Sequence, residues 1–72
     1  MYSNQLAEGF AANQAAYLKQ RLDRRLGHDR TQIRVDQNDL IVVLERSDLI
    51  RIAAGDIPTR IGELRVKAKL TG

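Results

Sequence analysis

Residues 33–44 read Ile-Arg-Val-Asp-Gln-Asn-Asp-Leu-Ile-Val-Val-Leu, and two rhythms meet inside them. Before the middle of the stretch, Ile33 and Val35 alternate with Gln32, Arg34 and Asp36. Successive strand side chains point to opposite faces, so this alternation predicts a half-buried strand over about 31–36. After the middle, Leu40 to Leu44 run without a polar residue, as in a central strand covered on both faces, over about 39–46. Gln37 and Asn38, flanked by Asp36 and Asp39, favour a tight turn between the two. Strands joined this closely pair antiparallel, and the rest of the chain must pack around that hairpin.

Upstream, residues 4–27 hold no proline and many good helix formers, which predicts one long helix. Ser3 or Asn4 can cap its start, and Gly27 stands where a left-handed C-cap is expected. Arg24, Arg25 and His28 lie at the end, where cations complement the helix dipole. Gly9 weakens the first turns. Downstream, Leu64, Val66, Ala68 and Leu70 alternate with Glu63, Arg65, Lys67 and Lys69, an amphipathic strand over about 62–70 with a basic outer face. Residues 49–54 suit either a further strand or a short helical turn, and the β-branched Ile50 and Ile52 favour the strand. Pro58, after Gly55 and Asp56, breaks the chain before the last strand. The expectation is a single α+β domain, residues 1–72, with one N-terminal helix packed on an antiparallel meander of three to four strands.

The helix carries two apolar stripes. Ala11, Ala15, Leu18, Leu22 and Leu26 follow steps of four, three, four and four, which is the spacing of one sheet-packing face. Leu6, Phe10 and Tyr17 fall on a second, narrow stripe away from the first. One helix on one sheet cannot bury both, so either the chain folds back over the second stripe or a partner covers it. Arg21, Arg24, Arg25 and His28 continue this second edge. Arginine makes paired hydrogen bonds to carboxylate or phosphate, so the cluster suits either an acidic interface or a nucleic-acid backbone. A solvated helix end carries the same charges, with Asp23 and Asp29 as local counter-charges.

Composition narrows the function classes. Cysteine is absent and there is one histidine, so disulfides, thiolate chemistry and a multi-histidine metal site within the chain are ruled out. Ser3 and Ser47 sit in a cap and a turn rather than beside a base. Asp36-Gln37-Asn38-Asp39 fails as a calcium loop because Ile41 stands where glycine is needed. The glycines, at 9, 27, 55, 62 and 72, are too scattered for a phosphate loop. The sequence therefore points to a protein that is not an enzyme, with no catalytic residues, no cofactor, no metal and no small-molecule substrate. The longest apolar run is far short of the roughly 18 residues of a membrane span. The N-terminal residues lack the basic start and apolar block of a signal peptide, which points to the cytoplasm.

Twelve Lys and Arg against nine Asp and Glu leave a net charge of +3. A chain this short has a marginal core, and with disulfides and metals excluded, oligomerisation is the remaining stabilising device. The leading expectation is a non-catalytic interaction module, an adaptor, regulator or assembly subunit. It self-associates or binds a protein partner through Leu6, Phe10, Tyr17, Arg21, Arg24 and Arg25. The alternative is a basic nucleic-acid-binding protein using Arg21, Arg24, Arg25, His28, Arg65, Lys67 and Lys69. Against that alternative stands the absence of aromatic residues from the strands, which leaves no stacking platform for bases.

Overall fold

A computed structural model describes the backbone of residues 2–71 and the side chains of residues 9–71. Helix α1 spans Tyr2–Leu26. It stops where Gly27 turns into the left-handed region at φ 78°. There the N–H groups of Gly27 and His28 both donate to the Asp23 carbonyl, at 2.8 and 3.2 Å. This is the expected glycine C-cap, which satisfies a carbonyl that the helix itself leaves unpaired. Arg24 and Arg25 occupy the last turn, beside the negative end of the dipole.

Strands β1 (Gln32–Asp36) and β2 (Asp39–Glu45) form the expected antiparallel hairpin, with Ile33 opposite Val42 and Val35 opposite Leu40. Gln37 takes the turn at φ 54°. After β2 come a one-turn helix α2 (Arg46–Leu49), a loop, a short β3 (Arg60–Ile61) and a long β4 (Leu64–Thr71). The sheet is open and four-stranded, in the order β1-β2-β4-β3. The expected architecture of one N-terminal helix on one sheet holds, and the outer pairs are antiparallel. The central pair, β2 with β4, is parallel, so the sheet is mixed rather than antiparallel throughout. A parallel pair needs a crossover of a dozen or more residues, and α2 with the loop to β3 supplies it.

The strand expected at 49–54 is not formed. Ile50 is 86% exposed, and Leu49 beside it, in α2, is partly exposed, so these residues meet no strand edge. Local hydrogen bonds hold the loop instead. The Asp56 carboxylate accepts from the Ala53 N–H at 2.7 Å, and the Asp56 N–H donates to the Ala53 carbonyl at 3.0 Å. Such side-chain bonds compete directly with a strand ladder. Ile52 and Ile57 then turn inward and pack on the core.

That core lies between α1 and one face of the sheet. Leu18, Leu22 and Leu26 pack with Val42 and Leu44, while Ala11 and Ala15 pack with Leu40 and Leu64. The stripe read from the helix periodicity is therefore the buried face, and small alanines let the helix approach the strands. β2 is central as expected, but only one of its faces is covered by another layer. Ile41 and Val43 on the other face are half-buried. They lie in cross-strand rows, Arg34-Ile41-Lys67 and Gln32-Val43-Lys69. Long cationic and amide side chains shield apolar surface in this way with their stems.

At Gly27 a Cβ would meet no neighbouring atom, so the backbone alone penalises a substitution. Gly27→Ala should destabilise the domain by about 1 kcal/mol, a fall in melting temperature of roughly 4–8 °C on calorimetry. An unchanged melting temperature would show that the cap is not under this constraint.

Candidate functional site

The outward edge of α1 is the surface that the sequence singles out. At roughly 1.5 Å per residue the helix is about 37 Å long, whereas the longest strand, β4, reaches only about 26 Å. The helix therefore outruns the sheet and sets the long dimension of the molecule, 41 Å against 21 and 17 Å. The side chain of Leu6 lies outside the described residues. Phe10 rests against the β3–β4 turn, its ring 3.7 Å from where a Cβ on Gly62 would stand, yet it remains 44% exposed. Tyr17 is 58% exposed. The Arg21 guanidinium lies 5.8 Å from the centre of the Tyr17 ring, within the range of a cation–π contact. The chain thus folds back over part of this stripe and leaves the rest open.

Arg21, Arg24 and Arg25 line a shallow groove with Asp56 from the crossover loop. Arg25 is held there, its Nε 3.2 Å from the Asp56 carboxylate. Arg21 and Arg24 pair with no carboxylate among the described residues and extend into solvent. The edge is therefore an aromatic patch continued by two guanidinium groups with no carboxylate partner among the described residues and one anchored to Asp56. Asp56 gave no signal in the sequence, because its role depends on a loop returning to the helix.

His28 does not belong to this surface. Its side chain is turned inward and mostly covered, with Nε2 2.8 Å from the Asp48 carboxylate and Nδ1 accepting the Arg30 N–H at 3.0 Å. Since Nδ1 accepts, the ring proton sits on Nε2 and is donated to Asp48. Nε2 thereby joins the helix exit to α2, while Nδ1 fixes the turn that leads to β1. His28 was expected on the cationic edge, but the turn at Gly27 rotates it off the helical wheel and inward. Beside it the Asp23 carboxylate accepts from the Thr31 N–H at 3.0 Å and from the Lys19 ammonium, which also donates to the Asp29 carbonyl at 2.9 Å. Burial raises the Asp23 carboxyl, but Lys19 and Thr31 outweigh it and hold it below the ordinary carboxylate range.

The strand cations lie elsewhere. Arg65, Lys67 and Lys69 alternate with Leu64, Val66 and Ala68, and Leu64 and Val66 pack on the core. The cations therefore project from the sheet face that α1 does not cover, opposite to Arg21, Arg24 and Arg25. The two basic clusters do not join into one surface. Arg65 and Lys67 also share Asp39, each at 3.1 Å, and with Lys67 foremost they hold that carboxyl below its usual range.

A small polar cavity of about 140 Å³ lies near the His28–Asp48 contact, lined by residues including Arg30, Thr31, Glu45 and Asp48. Among the described residues no cluster of three potential metal ligands is found, and no helix is long and apolar enough to cross a membrane. No protein-family model, curated protein or solved structure matches the chain at a significant level, so geometry alone carries the functional reading.

Two outcomes follow for this region. His28→Ala leaves the buried Asp48 carboxylate without its donor and should cost about 2 kcal/mol in urea unfolding, whereas an exposed helix-end histidine would cost about 0.5 kcal/mol or less. A depressed carboxyl contributes stability above its unfolded value near 3.9, lost as pH falls through the lower folded value. Asp23→Asn should therefore destabilise the domain at neutral pH, and its deficit should shrink as the wild type is acidified below about pH 4. A deficit unchanged across that range would show that Asp23 acts without its charge.

Proposed function

We propose that this chain is a small non-catalytic protein-interaction module that docks a second copy of itself through the outward edge of α1. The observation that carries this reading is the exposure of Tyr17, with Phe10 beside it only partly covered, on a helix longer than the sheet beneath it. Aromatic residues and arginine are the types enriched in protein interfaces, and here they form one continuous edge. A 72-residue chain also gains from burying surface between copies, because its own core is small. The engagement of both His28 nitrogens in internal hydrogen bonds supports a non-catalytic role. In an interface, Arg21 and Arg24 would orient the partner by pairing with its acidic groups, a contribution to specificity more than to affinity.

The nucleic-acid reading draws on the same guanidinium groups, but the separation of the helix and strand cations weakens it. The two readings differ in salt dependence. Light scattering behind size exclusion, at about 0.1 M and then about 1 M salt, separates them, because screening at the higher salt removes long-range charge effects. A dimer should persist at both salts. Tyr17→Glu should weaken it by roughly 10- to 100-fold, the effect of losing one buried aromatic side chain. A wild-type monomer at both salts would overturn the proposal. Steeply salt-dependent binding to a duplex DNA probe would then favour the alternative.

A further inference from the structure

We infer that the outer edge of β4 is a second docking site, one that accepts an extended acidic peptide as an added strand. β4 runs for eight residues, but β3 covers only its beginning, pairing Ile61 with Leu64 and Arg60 with Arg65. The last rung is the Val66 N–H donating to the Thr59 carbonyl at 3.0 Å. Pro58 comes next, in the place that would lie opposite Lys67. The chain leaves the strand line there, and Ile57 packs on the core instead of lying opposite Ala68. The pairing thus ends at Thr59 and leaves the rest of β4 without a neighbour on that side among the described residues.

The backbone geometry of this free edge follows from its two neighbours. The Arg65 N–H points to β2, donating to the Asn38 carbonyl at 2.9 Å, and the Val66 N–H points to the β3 side. By alternation the N–H and C=O groups of Ala68 and Leu70 also face the β3 side, where no strand lies. Residues Lys67 to Thr71 are all exposed, Leu70 at 44%. A row of unpaired backbone groups of this kind is a template for strand addition.

The side chains specify what fits. Lys67 and Lys69 flank the edge on the uncovered sheet face, and Ala68 and Leu70 flank it on the face that carries the helix. A second β4 laid antiparallel against this edge would set Lys67 and Lys69 of each copy opposite one another, and like charges directly opposite destabilise a strand pair. Asp39 is the nearest relief, but Arg65 and Lys67 already share it, while Lys69 has no carboxylate partner among the described residues. The complementary strand alternates acidic residues, placed beside the lysines, with apolar residues beside Ala68 and Leu70. This site is separate from the α1 edge and stands or falls independently of it.

The test uses the full chain and a fluorescent, end-blocked peptide of alternating Glu and Val, about eight residues long, the length of a typical strand. A peptide of the same composition with Glu and Val in separate blocks, and one of alternating Lys and Val, serve as controls. By anisotropy at low salt, the alternating Glu/Val peptide should bind at least about tenfold tighter than either control. K67E with K69E should transfer the preference to the Lys/Val peptide. Methylating the peptide amides that face Ala68 and Leu70 should abolish binding, and A68P should do the same from the protein side without removing a bond to β2. Tyr17→Glu should leave peptide binding unchanged. Equal binding of alternating and block peptides would overturn the proposal in favour of simple charge attraction. No measurable binding, or self-association through β4 that the peptide fails to displace, would also overturn it.

Discussion

The structure depends on one contact, the seating of the α1 stripe on the inner face of β2. Leu18, Leu22, Leu26, Leu40, Val42 and Leu44 are the largest side chains that are completely buried. Each comes from one of two elements, α1 and β2. Burying them is what distinguishes the folded chain from its unfolded ensemble, because apolar area removed from water is the main favourable contribution to folding. β1 and β4 then pair on either side of β2, and Ile33 and Val66 extend the contact outward. The crossover loop adds Ile52 and Ile57 at its margin.

This economy leaves surfaces uncovered. One helix protects one face of one sheet, so the outward edge of α1, the second sheet face and the outer edge of β4 all meet solvent. The chain handles the three differently. Cross-strand rows of arginine, lysine and glutamine shield Ile41 and Val43 on the sheet face. Phe10 is partly covered by the β3–β4 turn, while Tyr17 has the guanidinium of Arg21 beside its ring and stays mostly exposed. At the β4 edge, lysines discourage pairing with another copy of the same strand but leave the backbone groups available.

The polar residues between α1 and β1 act as a clamp. Asp23 holds Lys19 and Thr31 with its carboxylate and the C-cap with its carbonyl. His28 joins this exit to Asp48 in α2. The helix end, the first strand and the crossover are thus linked through a few partly buried hydrogen bonds, which fix how α1 lies across the sheet. The histidine that looked like part of a cationic edge is an internal connector.

How much could be read in advance divides along the range of the forces involved. The α1 stripe, the Gly27 cap, the β1–β2 hairpin and the alternation of β4 follow from residues close together in the chain, and all were legible. So was the choice of small alanines against the sheet, whereas whether the chain covers the second stripe stayed open. The parallel pairing of β2 with β4, the loop in place of a strand after Leu49, and the assignment of Asp56 to Arg25 and Asp48 to His28 were not. Each depends on segments distant in sequence meeting in space, and no local period encodes which partner a residue will find. The sequence by itself determined the elements and which face of each is apolar, because side-chain direction repeats with helix and strand geometry. Only the tertiary structure decided strand order, the inward turn of His28 and the separation of the two basic clusters, because these depend on where the crossover sends the chain.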